Sequence, residues 1–247
     1  MSAQANAAGS EPGERDHAMT PTDDIQYQVT PSMEDYLKAI YLIQQRGDRV
    51  STSILSEQLG GLKPGSVTGM IKKLAECNLI NHTPYQGVQL TPPGEKVALE
   101  VLRHHRLIEL YLVEALGYSW DEVHEEADAL EHYISEKLEA RIAARLGQPT
   151  VDPHGDPIPT LDGEVPASTA VRLTDLPVSV WAEIVRVSDQ HAERLRYLAS
   201  LGLVPGTFVQ IVAVAPFEGP VSVRVGESDG TPQPIDWRMA QTILVRR

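Results

Sequence analysis

The segment from His124 to His132 combines two histidines with several acidic residues, which are side chains that bind divalent metal ions in proteins. Successive residues of a helix turn by about 100°, so this segment, if helical, places four such side chains on one face. The four are His124, Asp128, Glu131 and His132. An acidic helix is usually a solvated surface, but two histidines with acids between them on one face favour metal binding.

Two other segments carry side chains of the same kind. His105 and Glu109 are four residues apart and therefore share a helix face, and Glu34 and Asp35 lie at the start of the first predicted helix. Helical bundles build metal sites by bringing imidazoles and carboxylates from separate helices to a common point. The pattern therefore predicts a metal site between packed helices.

Four further histidines are not expected to bind metal. His17 falls in a predicted disordered tail, His82 in a predicted β-wing and His154 in a predicted linker. His104 points about 100° away from His105 on the same helix, which predicts a surface residue.

The elements before residue 95 predict a winged helix. The first helix begins at Ser32–Asp35 and ends near Gly47. Two short helices follow, separated by Gly60-Gly61, with the second opened by Pro64, which is typical of a helix-turn-helix. Two short apolar strands around the turn at 83–87 then predict a β-wing.

In a winged helix, the start of the second short helix enters the major groove of DNA. The lysines there suit phosphate contacts, and the hydroxyl side chains can reach backbone or a base edge. Lysines on a helix are also common solubility charges, so this prediction depends on the fold. The predicted DNA contacts are Lys63, Ser66, Thr68, Gly69, Lys72 and Lys73.

The rest of the chain predicts a helical region followed by a small β domain. One long helix runs from Thr91 to about Leu116, and a second runs from Ser119 to about Leu146. The stretch 148–170 holds five prolines and predicts an extended linker. Five short strands and one helix, at about 190–201, then predict a small barrel of SH3-like size.

Composition and charge limit the classes of function. The 247 residues carry a net charge of −13, but the distribution is uneven: residues 49–106 carry +3 and residues 107–175 carry −11. The first segment suits DNA phosphates and the second suits cations. With a single cysteine, Cys77, no apolar run long enough for a membrane span and no secretory signal, the chain is expected to be cytoplasmic.

With these motifs the chain resembles the diphtheria-toxin-repressor and manganese-transport-regulator family of metal-dependent repressors. The likeness covers nearly the whole chain from Asp35 onward, and four segments carry it: Glu34-Asp35-Tyr36-Leu37, His105-Arg106-Leu107-Ile108-Glu109, His124–His132 and 152–159. It implies a mainly α fold with a β-wing and a C-terminal β domain. The expected parts are a disordered tail (1–24), a winged helix-turn-helix domain (25–95), a helical dimerisation and metal-binding domain (96–147), a linker (148–170) and an SH3-like domain (171–247).

The resemblance also implies two metal sites. The primary site falls on Asp35, Asp128, Glu131 and His132, and the ancillary site falls on His105, Glu109 and His124. The C-terminal domain of some relatives donates further ligands to the ancillary site. Asp189 and His191 are the candidates here, although their spacing departs from the iron-responsive pattern and exposed helix-start residues are the simpler explanation.

The resemblance further implies a homodimer that binds double-stranded operator DNA, with no membrane partner. Iron-responsive relatives place Met and Cys in the primary site, whereas the matching positions here are Asp35 and Asp128. Hard oxygen donors predict Mn(II), with Fe(II), Zn(II), Co(II) or Cd(II) able to substitute in vitro. The second acid of the manganese-type two-metal cluster is replaced by Lys38, which predicts separate sites.

Three alternatives remain open from the sequence. The segment His124–Asp128 superficially resembles the H-E-x-x-H motif of zinc-dependent hydrolases, but Asp replaces the second His. A metal-free regulator or adaptor that uses its SH3-like domain is a second alternative. An iron-responsive repressor of the same family is the third. Metal dependence of DNA binding distinguishes among them.

Overall fold

A computed structural model describes residues 29–83, 87–226 and 230–247 of the chain. Helix α1 (Pro31–Gln45) is the first helix in these ranges. The predicted tail, 1–24, with His17, and the tip of the predicted wing lie outside these ranges. Apolar side chains of α1 recur at helical spacing and are buried in the N-terminal core, including Met33, Leu37 and Ile40.

The predicted helix-turn-helix is present. Helix α2 (Thr52–Gln58) begins at Ser51, whose side chain accepts a hydrogen bond from the Ile54 amide. Helix α3 (Pro64–Glu76) follows a turn in which Gly60 and Gly61 have φ of 76° and 80°. These left-handed conformations favour glycine, which explains the sharp break between the two helices.

Two antiparallel strands, β1 (Ile80–Thr83) and β2 (Gly87–Leu90), form the wing. Helix α4 (Pro92–Leu116) follows, capped by Thr91 and ended by Gly117 in a left-handed conformation. Its first half packs against α1 in the N-terminal core, and its second half packs against the helices that follow. A single long helix therefore joins the winged-helix and helical domains.

The predicted helix from Ser119 to Leu146 is wrong as a single element. The structure has α5 (Val123–Leu130), a turn, and α6 (Glu136–Arg145). The break occurs because Ser135 caps the second helix by accepting a hydrogen bond from the Leu138 amide. His124 and Asp128 therefore share one face of α5, as predicted, whereas His132 lies in the turn beyond the helix.

The stretch 148–170 has no helix, and its one strand-like feature is an isolated bridge between Val151 and Pro157. Residues 152–159 within it are nevertheless buried or half-buried, which the linker prediction missed. The Arg106 side chain of α4 donates to the Pro157 carbonyl and lies beside Asp152 and Asp156. Gly155 has φ of 85°, and a Cβ there would lie 2.0 Å from the Val185 carbonyl oxygen.

The described residues of the C-terminal domain form six strands, whereas five were predicted: β3 (Val171–Arg172), β4 (Trp181–Val187), β5 (Phe208–Val214), β6 (Val221–Val225), β7 (Gln233–Ile235) and β8 (Ile243–Arg246). They form one antiparallel sheet in the order β3-β8-β4-β5-β6-β7. A short 3₁₀ turn (Leu173–Asp175) and helices α7 (Ala192–Ser200) and α8 (Trp237–Gln241) complete the domain. Strand β7 was missed because it is short and contains Pro234, which is tolerated at this sheet edge.

Candidate metal centre

The candidate ligands meet where α1, α4 and α5 converge. His105 and Glu109 lie on adjacent turns of α4, both buried, as their spacing predicts. Among the residues that the structure describes, four groups of three side chains bring potential ligand atoms within 4.8 Å of one another. Three of these groups are built from residues that the sequence predicts as ligands.

The first group joins Asp35 of α1 to Glu131 and His132, which follow α5. The Nε2 atom of His132 lies 3.0 Å from the Asp35 carboxylate and 3.5 Å from that of Glu131. On the other side of the ring, Nδ1 lies 2.5 Å from Glu34, which orients the imidazole. Burial raises the pKa of Asp35, although His132 and Lys38 oppose this effect.

The second group contains His105, Glu109 and His124. The Nε2 atom of His105 lies 3.0 Å from Oε1 of Glu109 and 3.1 Å from Nδ1 of His124. Nδ1 of His124 in turn lies 3.2 Å from Oε1 of Glu109. Neighbouring ligands at right angles around an ion with bonds of about 2.1 Å are about 3 Å apart. The three atoms therefore fit one divalent cation.

His105 also belongs to the third group, with Asp128 and Glu131. Asp128 lies 3.3 Å from Nδ1 of His105 and 2.9 Å from the Lys38 ammonium. Burial opposes ionisation of Asp128, but the His105 hydrogen bond and the Lys38 charge hold its pKa well below the usual value. Asp128 thus faces His105 and Lys38 and is not grouped with Asp35 and His132.

Burial and charge act against each other in the His105 and Glu109 pair. Burial disfavours both charged forms, but Glu109 raises the pKa of His105 well above its usual value, and His105 lowers that of Glu109. In this pair, a proton on His105 balances the negative charge of Glu109. A divalent cation bound between the two side chains can balance the same charge. The donor set of imidazoles and carboxylates therefore fits a metal ion such as manganese or zinc.

A fourth group, which the sequence patterns did not predict, consists of Glu109, Asp152 and His154, all buried. Nδ1 of His154 lies 3.7 Å from Oε2 of Glu109 and 4.0 Å from Asp152, and its Nε2 lies 2.7 Å from the Trp120 carbonyl. The carbonyl can hold the proton on Nε2 and leave Nδ1 free to bind a cation. His154 was predicted to lie in the linker and not to bind metal, but the structure places it beside Glu109 because this part of the linker folds back onto α4.

Charge crowding marks this fourth group. Burial, together with Asp156 and Glu109, raises the pKa of Asp152 to about 8. Burial opposes protonation of His154, but Glu109 and Asp152 raise its pKa to about 9. The sequence signal was available as a histidine between two aspartates within five residues, 152–156.

His104 was predicted to be a surface residue and is instead buried. Helix α6 covers that side of α4, so the helix is enclosed on more than one face. Nδ1 of His104 lies 3.1 Å from the Glu131 backbone carbonyl, and its Nε2 lies 3.3 Å from Glu139. Burial lowers its affinity for a proton, but Glu139 and the Glu131 carbonyl raise its pKa overall.

The two candidates from the C-terminal domain pair with each other. Asp189 is buried and lies 3.0 Å from Nδ1 of His191 and 3.1 Å from Arg194. Neither belongs to the four groups, although His191 and His124 line one cleft. Gln190, between the two candidates, lines a second cleft together with His105 and Asp128. Gln190, which was not predicted as a site residue, therefore approaches the centre.

The predicted DNA contacts share the exposed side of α3 and the turn before it. All six residues are exposed, while Val67, Ile71 and Leu74 on the opposite side are buried. The Thr68 hydroxyl donates to the Pro64 carbonyl, and Lys72 lies 3.8 Å from Glu76. This arrangement leaves a polar and basic helix face available to a partner.

Comparison with known proteins identifies the domains. Three family models match: iron dependent repressor N-terminal DNA binding domain at residues 28–88, iron dependent repressor metal binding and dimerisation domain at 91–160, and FeoA domain at 171–247. The iron-dependent repressor IdeR of Mycobacterium tuberculosis is 31% identical over 232 residues, which cover 89% of this chain and 99% of that protein. The chain belongs to the iron-dependent repressor family.

Solved structures of similar proteins agree with this assignment. A manganese-dependent transcriptional repressor in complex with manganese is 42% identical, with a TM-score of 0.81 over 86% of this chain and 98% of the other. The manganese regulator SloR is 30% identical, with a TM-score of 0.73 over 89% of this chain and 100% of the other. The predicted fold class and family are therefore confirmed, including the winged helix, the helical domain and the SH3-like domain.

Members of the iron-dependent repressor family are DNA-binding transcriptional repressors and not enzymes, so the hydrolase alternative is wrong. The chain is a metal-dependent transcriptional repressor of this family. The match to a metal-binding domain also removes the basis for the metal-free alternative. No helix among the described residues is both long enough and apolar enough to cross a membrane.

Proposed function

We propose that this repressor responds to manganese, and that Mn(II) bound at Asp35, Asp128, Glu131 and His132 enables a homodimer to bind operator DNA. The observation that carries the proposal is the 3.0 Å approach of Asp35, on the first helix of the DNA-binding domain, to His132 in the metal-binding domain. The bound ion would supply positive charge at this point. Asp35 and His132 would then fix α1 relative to α5 instead of leaving a cluster of acids between them.

The choice of manganese rests on the donors. The four groups offer carboxylate oxygens and imidazole nitrogens only. The single cysteine, Cys77, lies at the end of α3 and belongs to none of these groups. Hard oxygen donors with imidazole suit Mn(II), whereas a thiolate shifts preference toward softer metals.

His105, Glu109 and His124 would form the ancillary site. Glu109 directs Oε1 toward these histidines and Oε2 toward His154. One carboxylate can therefore serve two neighbouring groups, and Asp152 with His154 would extend the ancillary site. Asp189 and His191 would contribute only if their present pairing opened, since Asp189 already binds Arg194.

Homodimerisation is supported by exposed apolar side chains in the domain matched to metal binding and dimerisation. Leu116, Leu130, Tyr133 and Leu138 are all exposed, with Tyr133 at 76%. Two copies would present two α3 helices to successive major-groove half-sites, so their contacts would add. Sedimentation velocity tests the dimer: a monomer at micromolar concentration would contradict it.

The test is fluorescence anisotropy of a labelled promoter fragment from upstream of the repressor's own gene, with Mn(II), anaerobic Fe(II), Zn(II) or chelator. We expect Mn(II) to promote binding at the lowest free concentration, and Asp35→Ala to abolish this response. Asp48→Ala, at an exposed acid just beyond α1, is the matched control and should respond as wild type. Equal binding in chelator would contradict the proposal.

An iron-responsive repressor is the second candidate function, because the similar protein from Mycobacterium tuberculosis is named an iron-dependent repressor. The same titration separates the two candidates. Activation by Fe(II) at a lower free concentration than Mn(II) would favour iron, and the donor argument for manganese would then be wrong.

A further inference from the structure

Lys38 lies on α1, three residues after Asp35 and nearly one helical turn further on. Its side chain is only 13% exposed. The ammonium lies 2.9 Å from Asp128 and 2.5 Å from Glu131, which is itself fully buried. A buried ammonium is unfavourable unless carboxylates surround it, so these two acids account for its position.

The same two acids belong to the predicted primary metal site. Oε1 of Glu131, which contacts Lys38, is the atom that lies 3.5 Å from Nε2 of His132. Oδ1 of Asp128, which also contacts Lys38, lies 3.3 Å from Nδ1 of His105. The ammonium therefore lies among the potential ligand atoms of two neighbouring groups. There it neutralises part of the negative charge of Asp128 and Glu131.

We propose that Lys38 is a tethered competitor of the metal ion, which occupies Asp128 and Glu131 in the metal-free protein and so sets the metal concentration at which the repressor responds. This inference rests on the proposed function. Two effects of Lys38 weaken metal binding. A cation must displace the ammonium from its two partners, and the positive charge that remains nearby repels it.

A purely structural role for Lys38 makes the opposite prediction. If the ion pairs served only to hold α1 against α5, their loss would loosen Asp35 and weaken metal binding. If Lys38 competes with the ion, its removal strengthens metal binding while the metal-free protein loses stability. The direction of the change in affinity therefore distinguishes the two roles.

The test uses full-length Lys38→Met, which keeps an unbranched side chain but removes the charge. Mn²⁺ affinity is measured by competition with a fluorescent chelator, and unfolding is followed by calorimetry with and without Mn²⁺. We expect Kd to fall by about tenfold or more. We also expect a lower melting temperature without metal and a larger rise on adding Mn²⁺.

Lys137→Met, at an exposed position on α6, makes the same change in net charge and should leave the Mn²⁺ affinity unchanged. Lys38→Arg keeps the charge and should bind Mn²⁺ within about threefold of wild type. If Lys38→Met does not fold, Lys38→Gln carries the same prediction.

Wild-type protein that fails to bind Mn²⁺ would overturn the proposed function and this inference together. Normal wild-type binding, with equal or weaker binding by the neutral variants, would overturn only the role of Lys38.

Discussion

Nδ1 of His105 lies 2.6 Å from the Glu131 carboxylate, while Nε2 of the same ring lies 3.0 Å from Glu109. One buried imidazole therefore joins a residue of the proposed primary site to a residue of the proposed ancillary site. A histidine that binds a metal through one nitrogen commonly orients another group through the other. The two sites are expected to depend on each other through this ring.

His105→Gln should remove one bound Mn²⁺ per subunit and weaken the other by about 10- to 100-fold, because Glu131 loses its partner. Isothermal titration calorimetry gives both the stoichiometry and the affinity. Glu125→Gln removes an exposed acid from α5 and serves as the control. Loss of one ion with no change in affinity for the other would show that the sites are independent.

The raised pKa of Asp152, about 8, predicts how the stability of the metal-free protein depends on pH. Between the unfolded value near 4 and about 8, the folded state holds a proton that the unfolded state releases, so this group lowers stability as pH rises. Asp152→Asn mimics the protonated form. Its melting temperature in chelator should exceed that of wild type by more at pH 8 than at pH 5.

Asp162→Asn, at an exposed acid in the same stretch of chain, is the matched control. A constant difference between Asp152→Asn and wild type across this range would mean that Asp152 is ionised throughout.

Gly155→Ala should destabilise the protein by about 2–4 kcal/mol, since the new Cβ would meet the Val185 carbonyl at 2.0 Å with φ at 85°. Gly206→Ala is the control, because its φ is 88° but nothing lies within 4 Å. That variant should lose only about 1–2 kcal/mol. Urea unfolding measures both, and equal losses would mean that the contact with strand β4 relaxes freely.

Lys73→Ala should weaken DNA binding by a similar factor on specific and unrelated sequences, because an exposed lysine on α3 is suited to phosphate. The slope of log affinity against log salt should fall by about 0.9 per subunit. Anisotropy at several salt concentrations measures this slope, with Lys96→Ala on α4 as a charge-matched control. An unchanged slope would remove Lys73 from the DNA interface.

The sequence was sufficient where local signals were strong. Ser51, Gly60 and Pro64 mark the helix-turn-helix, and the spacing of His105 and Glu109 places both in the centre. The sequence was insufficient where tertiary packing determines the surroundings of a side chain. The burial of His104 depends on α6 covering α4, and the place of His154 depends on a proline-rich stretch folding back against Arg106.

The division of the predicted second long helix shows a different limit. The hydrophobic and acidic pattern continues through the turn at 131–134, and the Ser135 cap is a signal of only one residue. Helical periodicity therefore grouped His124 with His132, whereas the structure assigns them to different clusters. The competing position of Lys38 is likewise a matter of side-chain packing, since spacing alone cannot show which acids its ammonium reaches.

If one cation joins α1 to the metal-binding domain, it lies between Asp35 and His132. Anomalous diffraction at the manganese edge, from crystals grown with Mn²⁺, tests it most directly. We expect an anomalous peak bounded by the carboxylates of Asp35, Asp128 and Glu131 and by Nε2 of His132. Manganese bound only at other positions, with no peak between Asp35 and His132, would contradict it.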